Sequence, residues 1–183
     1  MGTNFNKKIS DTNIRLGLVR FSYMHVFERR RNPDGTLGKF EVVCIIPKTD
    51  KEAVRIFNEA FEAAKAIGIA EKWGGKLPRD LSGGLRDGDD KDDPAFEGCW
   101  YFNARSDRQP GVRIREDGKV MEALDADDIY SGCYGCVTVN LFPYAAGGNK
   151  GVGVGLNNII KIEDGERLAG GRTAEQDFGD LDE

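Results

Sequence analysis

The chain has a single histidine, His25, and nothing around it that would put it to catalytic work. A Ser-His-Asp or Cys-His centre would have to use His25, yet no nucleophile elbow accompanies it. It reads as an incidental strand histidine. Cysteine is scarce too: Cys44, Cys99, Cys133 and Cys136 are too few for a disulfide framework, which points to a reducing compartment. No apolar run approaches the ~20 residues of a membrane span. Residues Met1 to Ser10 are polar, with Lys7 and Lys8 and no apolar h-region, so no secretory signal is expected. A cytoplasmic protein with no membrane contact is the simple expectation.

Three motifs fail on their context. Cys133-Tyr134-Gly135-Cys136 has C-x-x-C spacing but runs straight into a strand-like segment, and a zinc site would need two further ligands nearby. Cys44 and Cys99 each lie alone in an apolar strand, so buried or semi-buried thiols are expected and no metal. The acidic run Asp87 to Asp93 is out of EF-hand register: the sixth position lacks glycine, and Gly98 stands where the bidentate Glu belongs. It reads as a solvated loop. Gly151-Val-Gly153-Val-Gly155 is followed by more strand rather than a helix, which removes the dinucleotide and P-loop readings. Its glycines suit close approach of another backbone, or a base, to the sheet. No cofactor is implied.

Charge is abundant but unevenly placed. Residues 174–183 hold five carboxylates, one aromatic and no base, and the rest of the chain sums to zero. Within that neutral body, residues 1–86 hold 16 Lys+Arg against 10 Asp+Glu. Such an acidic tail can occupy a cationic groove meant for a polyanion, and can offer a short peptide to protein partners.

The periodicity predicts mainly β structure with one inserted amphipathic helix. Residues 14–28 read as a long strand whose apolar phase slips by one near Gly17–Arg20, as a bulge would produce. Asn32-Pro33-Asp34-Gly35 is a turn. The strand 39–46 puts apolar residues on both faces, so its Val43–Ile45 side should also be covered. Thr49-Asp50-Lys51-Glu52 is a capping box, and the apolar spacing from Ala53 to Ile67 predicts a helix over 49–68, ending at Gly68. Residues 74–98 form a long loop with at most a short helical turn. Strands follow at 99–106, 111–115, 119–122, 133–144 and 151–163, with Glu116-Asp117-Gly118 as a hairpin turn. The order suits a five-stranded, OB-fold-like antiparallel barrel with extra hairpins (1–163), followed by a flexible acidic tail (164–183).

Basic residues interleave with aromatics on these strands, the mixture that single-stranded nucleic acid demands. Cations neutralise phosphates, and rings stack bases whatever their sequence. Two other classes fit less: a structural or assembly β-barrel, and a metal-dependent nuclease using the acids 87–93.

The stretches Ile14–Tyr23, Cys99–Arg115 and Phe142 to Ile159, with the acidic tail, resemble the tailed-phage single-stranded DNA-binding proteins, an OB-fold family. The resemblance implies a non-enzymatic protein of phage DNA replication and recombination. It also implies a tail that competes with DNA and contacts phage or host replication and recombination proteins. Related tails often end in Phe, whereas Phe178 is followed by five more residues.

On this reading Tyr23, Trp100, Phe102 and Tyr144 are the candidates for base stacking. Arg20, Arg105, Arg113, Arg115 and Lys150 are the candidates for phosphate contacts. Glu175, Asp177, Phe178, Asp180, Asp182 and Glu183 form the partner-binding tail. A homo-oligomer is compatible with the sequence. Alternation alone leaves open whether Trp100 and Phe102, or Tyr101 and Asn103, face outward.

Overall fold

In the computed structural model, which describes residues 4–168 and 178–181, the helix and the seven expected strands follow the predicted order, and two short strands are added to them. They are β1 (Lys7–Lys8), β2 (Asn13–His25), β3 (Phe40–Pro47), α1 (Lys51–Glu71), β4 (Arg86–Asp87), β5 (Cys99–Ser106), β6 (Gly111–Glu116), β7 (Lys119–Glu122), β8 (Tyr134–Ala146) and β9 (Asn149–Glu163). Neighbouring strands run β5-β3-β2-β8-β9, and β9 returns to β5 where Arg105 lies beside Gly155. Five strands therefore close a ring. β4 is added at β5, and β6 with β7 at the far part of β9.

The expectation of a wholly antiparallel arrangement is corrected by this closure. Strand direction cannot alternate at every contact around a ring of five, so one contact must be parallel. The parallel contact is β5 with β9, and β6 continues in the same direction along β9.

The slip foreseen in β2 is present. Its pairing with β8 shifts between Leu16 and Val19, so Ile14 and Leu16, then Val19 and Phe21, all reach the interior. At the other end the pairing with β3 shifts again between Ser22 and His25. Each extra residue bends and twists the strand, which a small closed ring requires.

The helix starts one residue later than the capping box suggests. Asp50 is the cap, its carboxylate accepting from the Ala53 amide at 3.1 Å. The predicted end at Gly68 is also corrected: α1 continues to Glu71. Gly68 serves packing rather than termination, because a Cβ there would lie 2.5 Å from the Trp73 indole. The face carrying Ala53, Ile56, Phe57, Ala60 and Ala64 is buried, and Phe57 meets the ring of Phe102 at 4.9 Å.

The 74–98 segment is more ordered than a bare loop. Besides β4 it makes two 3-10 turns, Gly88–Lys91 and Pro94–Phe96. Phe96 then packs on Val43 and Ile45, so both faces of β3 are covered as its composition predicts. The turn after β6 has positive φ at Asp117 and Gly118, the twist a tight hairpin needs.

Cys44, Cys133 and Cys136 are buried, Cys99 is partly exposed, and all four are free thiols. Burial pushes each of them above the ordinary thiol pKa. A thiol reagent at pH 8 is expected to modify the folded protein at Cys99 alone and slowly, the other three reacting only on unfolding. Rapid labelling of Cys44, Cys133 or Cys136 in the native state would contradict this placement.

Phe102 is 2% exposed, on the inner face in register with Cys44, itself opposite Phe21. Phe102→Ala should cost about 3–5 kcal/mol in urea unfolding. A loss under about 1 kcal/mol would mean that its ring does not fill the core.

Candidate nucleic-acid interface

Residues opposite one another on paired strands share a face. The registers therefore set Tyr101, Ile45, Arg20 and Tyr134 in one row across β5, β3, β2 and β8 on the outside of the ring. Asn103, Val43 and Ser22 form the next row, and Arg105, Glu41 and His25 the one after. Tyr101 and Asn103 are thus the outward residues of β5. Phe102 is removed from the stacking candidates, because its parity sends it into the core. Trp100 shares the inner parity but sits at the rim, half-buried, with the Lys48 ammonium 4.7 Å from its ring centroid.

Tyr23 lies where β2 slips against β3. Its φ is +47°, an unusual conformation for a bulky residue, and its side chain is thrown outward to 48% exposure. The Lys91 ammonium stands 5.2 Å from its centroid, and equally close to Tyr101. Three tyrosines, Tyr23, Tyr101 and Tyr134, thus border one outer surface.

The cations on this surface are positioned by partners. Arg20 lies over Tyr134 at 5.5 Å. Its Nε donates to the Gly132 carbonyl at 3.1 Å and its Nη2 to the Glu166 carbonyl at 2.9 Å. Carbonyls orient the guanidinium without cancelling its charge. Glu41, only 8% exposed, accepts from Arg30 at 2.9 Å and from Arg105 at 2.8 Å, so two guanidinium groups share one carboxylate. Arg29 and Lys39 reach the loop after β5 through Asp107. Lys48 is the exception: it pairs with Asp87 at 2.7 Å and Asp89 at 2.8 Å. Those hydrogen bonds hold Lys48 above its ordinary pKa. The Lys48 hydrogen bond holds Asp87 below its usual range, and the Gly98 amide followed by Lys48 does the same for Asp89.

The remaining candidates lie elsewhere on the outer surface. Arg113 is exposed on β6, and Arg115 stacks on Phe5 at 5.4 Å. Phe5 belongs to the N-terminal segment, which crosses over Gly17 and Cys136 while its carbonyl accepts from Arg15 at 2.8 Å. Tyr144 and Lys150 sit at the far end of the β8–β9 hairpin. Ten residues of strand, roughly 33 Å, separate Tyr144 from Tyr134. There the Tyr144 carbonyl accepts from the Trp73 indole at 3.0 Å.

The alternating glycines are explained on the same hairpin. Gly151, Gly153 and Gly155 stand opposite Tyr144, Phe142 and Asn140. A Cβ on Gly153 would lie 2.7 Å from the Phe142 ring, and one on Gly151 would lie 2.5 Å from the Ser82 carbonyl. The bare backbone accommodates a ring at one glycine and a crossing chain at another.

The sequence leaves Tyr101 undecided and does not single out Tyr134, Lys91, Arg30 or Glu41 as site residues. Tyr101 was one parity step away, and Tyr134 was hidden inside the C-x-x-C motif. Lys91 carries no local signal, because it lies in a run of acids.

Past β9 the chain stays on the ring. The Tyr130 hydroxyl donates to Asp164 at 2.7 Å, Lys161 pairs with the same carboxylate at 2.9 Å, and the Leu168 amide donates to the Ser131 carbonyl at 3.0 Å. The Tyr130 hydroxyl, then Lys161, hold Asp164 below the usual carboxylate range. Of the tail candidates, Phe178 and Asp180 are exposed, Phe178 by 63%. Glu175, Asp177, Asp182 and Glu183 lie outside the described residues. Among the described residues no helix is long and apolar enough to cross a membrane.

No curated protein matches the chain. Among solved structures, it is similar to the single-stranded DNA-binding protein from bacteriophage Enc34 in complex with ssDNA: TM-score 0.77, 24% identity, 92% of this chain and 96% of that one. The Enc34 protein described without DNA gives TM-score 0.74 at 23% identity, over 97% of this chain and 95% of that one. The single-stranded DNA-binding protein gp2.5 encoded by bacteriophage T7 gives 0.58 at 19% identity, over 95% and 96%. These likenesses establish a shared fold across nearly the whole length. Since the family profile described as Enterobacter phage Enc34, ssDNA-binding protein matches residues 12–183, the chain belongs to that family.

Proposed function

We propose that this protein binds single-stranded DNA without sequence preference, as a non-catalytic factor of phage DNA replication and recombination in the cytoplasm of the bacterial host. The observation that carries this reading is the outer surface where Tyr23, Tyr101 and Tyr134 alternate with Arg20, Lys91 and the Arg30–Glu41–Arg105 cluster. Rings at that spacing stack bases, and the cations between them meet phosphates. Support also comes from the family and from the fold shared with the Enc34 single-stranded DNA-binding protein in complex with ssDNA. On this reading the five-strand ring is an OB-type barrel.

Arg20 acts here mainly as a positioning residue, two of its donors being held by carbonyls. Arg105 contributes more directly. Arg113, Arg115, Tyr144 and Lys150 lie along the same outer surface and extend the path of a long strand, and Trp100 marks its rim. The tail, residues 174–183, competes with DNA as an intramolecular polyanion and offers Phe178 to replication or recombination proteins.

Tyr23→Ala is expected to weaken binding of labelled oligo-dT by about 1–3 kcal/mol, roughly 5- to 150-fold in Kd. The affinity of the unaltered protein should fall steeply with salt. A flat salt response, or oligo-dT that is ignored altogether, would favour the rival reading of a phage structural or assembly protein.

Deleting 174–183 should tighten oligo-dT binding at low salt, and the gain should shrink as salt screens the tail. Equal affinities for the full and shortened chains at low salt would remove the competition idea.

A further inference from the structure

The acidic loop between β4 and β5 has no assigned purpose, and its one cation is placed unusually. Lys91 lies 4.5 Å from the centroid of Phe96 and 5.2 Å from those of Tyr23 and Tyr101. Five aspartates, Asp87, Asp89, Asp90, Asp92 and Asp93, surround it in sequence, yet among the described residues none forms an ion pair with it. Asp87 and Asp89 turn to Lys48. Asp93 caps its own turn, accepting from the Ala95 amide at 3.0 Å.

The loop is held in this position. Phe96 is fully buried against Val43 and Ile45 and meets Tyr101 edge-on at 5.2 Å. The Gly98 amide donates to Asp89 at 2.7 Å, and a Cβ on Gly88 would lie 2.7 Å from the Cys99 carbonyl, so the loop's two ends press together without side chains between them. Lys91 is half-buried, so its ammonium is fixed beside the rings.

Ring faces attract a cation's charge but accept few of its hydrogen bonds. An ammonium has three N–H donors and wants oxygen acceptors. A cation steered away from five nearby carboxylates and onto an exposed tyrosine keeps those donors for an incoming anion. We propose that Lys91 is a phosphate-contacting residue of the single-stranded DNA surface and that the loop Gly88–Gly98 is a wall of that surface. The inference rests on the reading that Tyr23 stacks a base: the phosphate flanking that base is the acceptor that Lys91 awaits.

The test is oligo-dT titration over a salt series with Lys91→Met, which keeps the aliphatic stem on the rings, and Lys91→Arg, which keeps the charge. Lys91→Met should bind several-fold more weakly at low salt, and its log–log salt slope should be smaller by about 0.7, one phosphate contact on a single strand. Lys91→Arg should keep the slope. In the unaltered protein, bound oligo-dT should protect Lys91 from acetylation, read by mass spectrometry, a measurement that requires no variant to fold. Unchanged or tighter binding by Lys91→Met with an unchanged slope would overturn the proposal, because Lys91 would then merely cover Tyr23. Equal acetylation with and without DNA would overturn it as well. If the unaltered protein binds and Tyr23→Ala weakens it while Lys91→Met does not, only this inference falls; if the unaltered protein ignores oligo-dT, the reading beneath it falls too.

Discussion

The surface depends on one slip of register in β2. Ile14 and Leu16 point inward, and after the shift Val19 and Phe21 do so as well. Without the extra residue the period of two would send Leu18 and Arg20 into the core and expose Val19 and Phe21. The slip keeps the interior apolar through the whole strand while turning Arg20 into the outer row with Tyr101 and Tyr134. The second slip, at Ser22–His25, throws out Tyr23. The same two irregularities coil the strand so that β5 and β9 can meet. Ring closure and presentation of the outer surface therefore both follow from the two slips in β2.

On that surface, charge is distributed by geometry more than by number. Arg20 is oriented by two carbonyls, Arg30 and Arg105 share Glu41, and Lys48 is neutralised by Asp87 and Asp89. Cations held this way lose less side-chain freedom on meeting a phosphate than free lysines do. Asp87, Asp89 and Asp164 have folded pKa values below the ordinary carboxylate value, so their pairings contribute above that value and are lost as pH falls through the folded ones. Asp89 and Asp164 are exposed and Asp87 is partly so, and solvent keeps each contribution small.

Much of this was legible in the chain. The slip in β2, the double-sided burial of β3, the amphipathic face of α1 and the Asp117-Gly118 turn each follow from a pattern within one segment. What could not be read depends on partners distant in sequence. Both parities of Trp100-Tyr101-Phe102 are aromatic, so only the packing of Phe57 from inside and Phe96 from outside decides which ring goes where. Gly68 resembles a helix terminator until Trp73 folds back against it. Lys91 looks like one more solvated charge in an acid-rich loop. Its meaning lies in three rings from β2, β5 and the turn at Pro94–Phe96, which no local pattern announces.

The route of the C-terminus joins these arguments. Residues 164–168 leave β9 and pass beside Ser131 and Arg20, where the Glu166 carbonyl is held by the guanidinium that also covers Tyr134. The described run of the chain is therefore held next to the row of rings where it ends, at Leu168. Ten residues span at most ~36 Å, which bounds how far from Leu168 an acidic tail can act. Tethering converts an otherwise weak anion–cation contact into an intramolecular one with a high effective concentration. If the tail competes as proposed, a strand of DNA would outcompete it through many phosphates and through stacking, which carboxylates cannot supply. One aromatic in the tail, Phe178, is too little to imitate that stacking. On the proposed reading, such a tail would yield to a polymer with bases and would then be free for a protein partner.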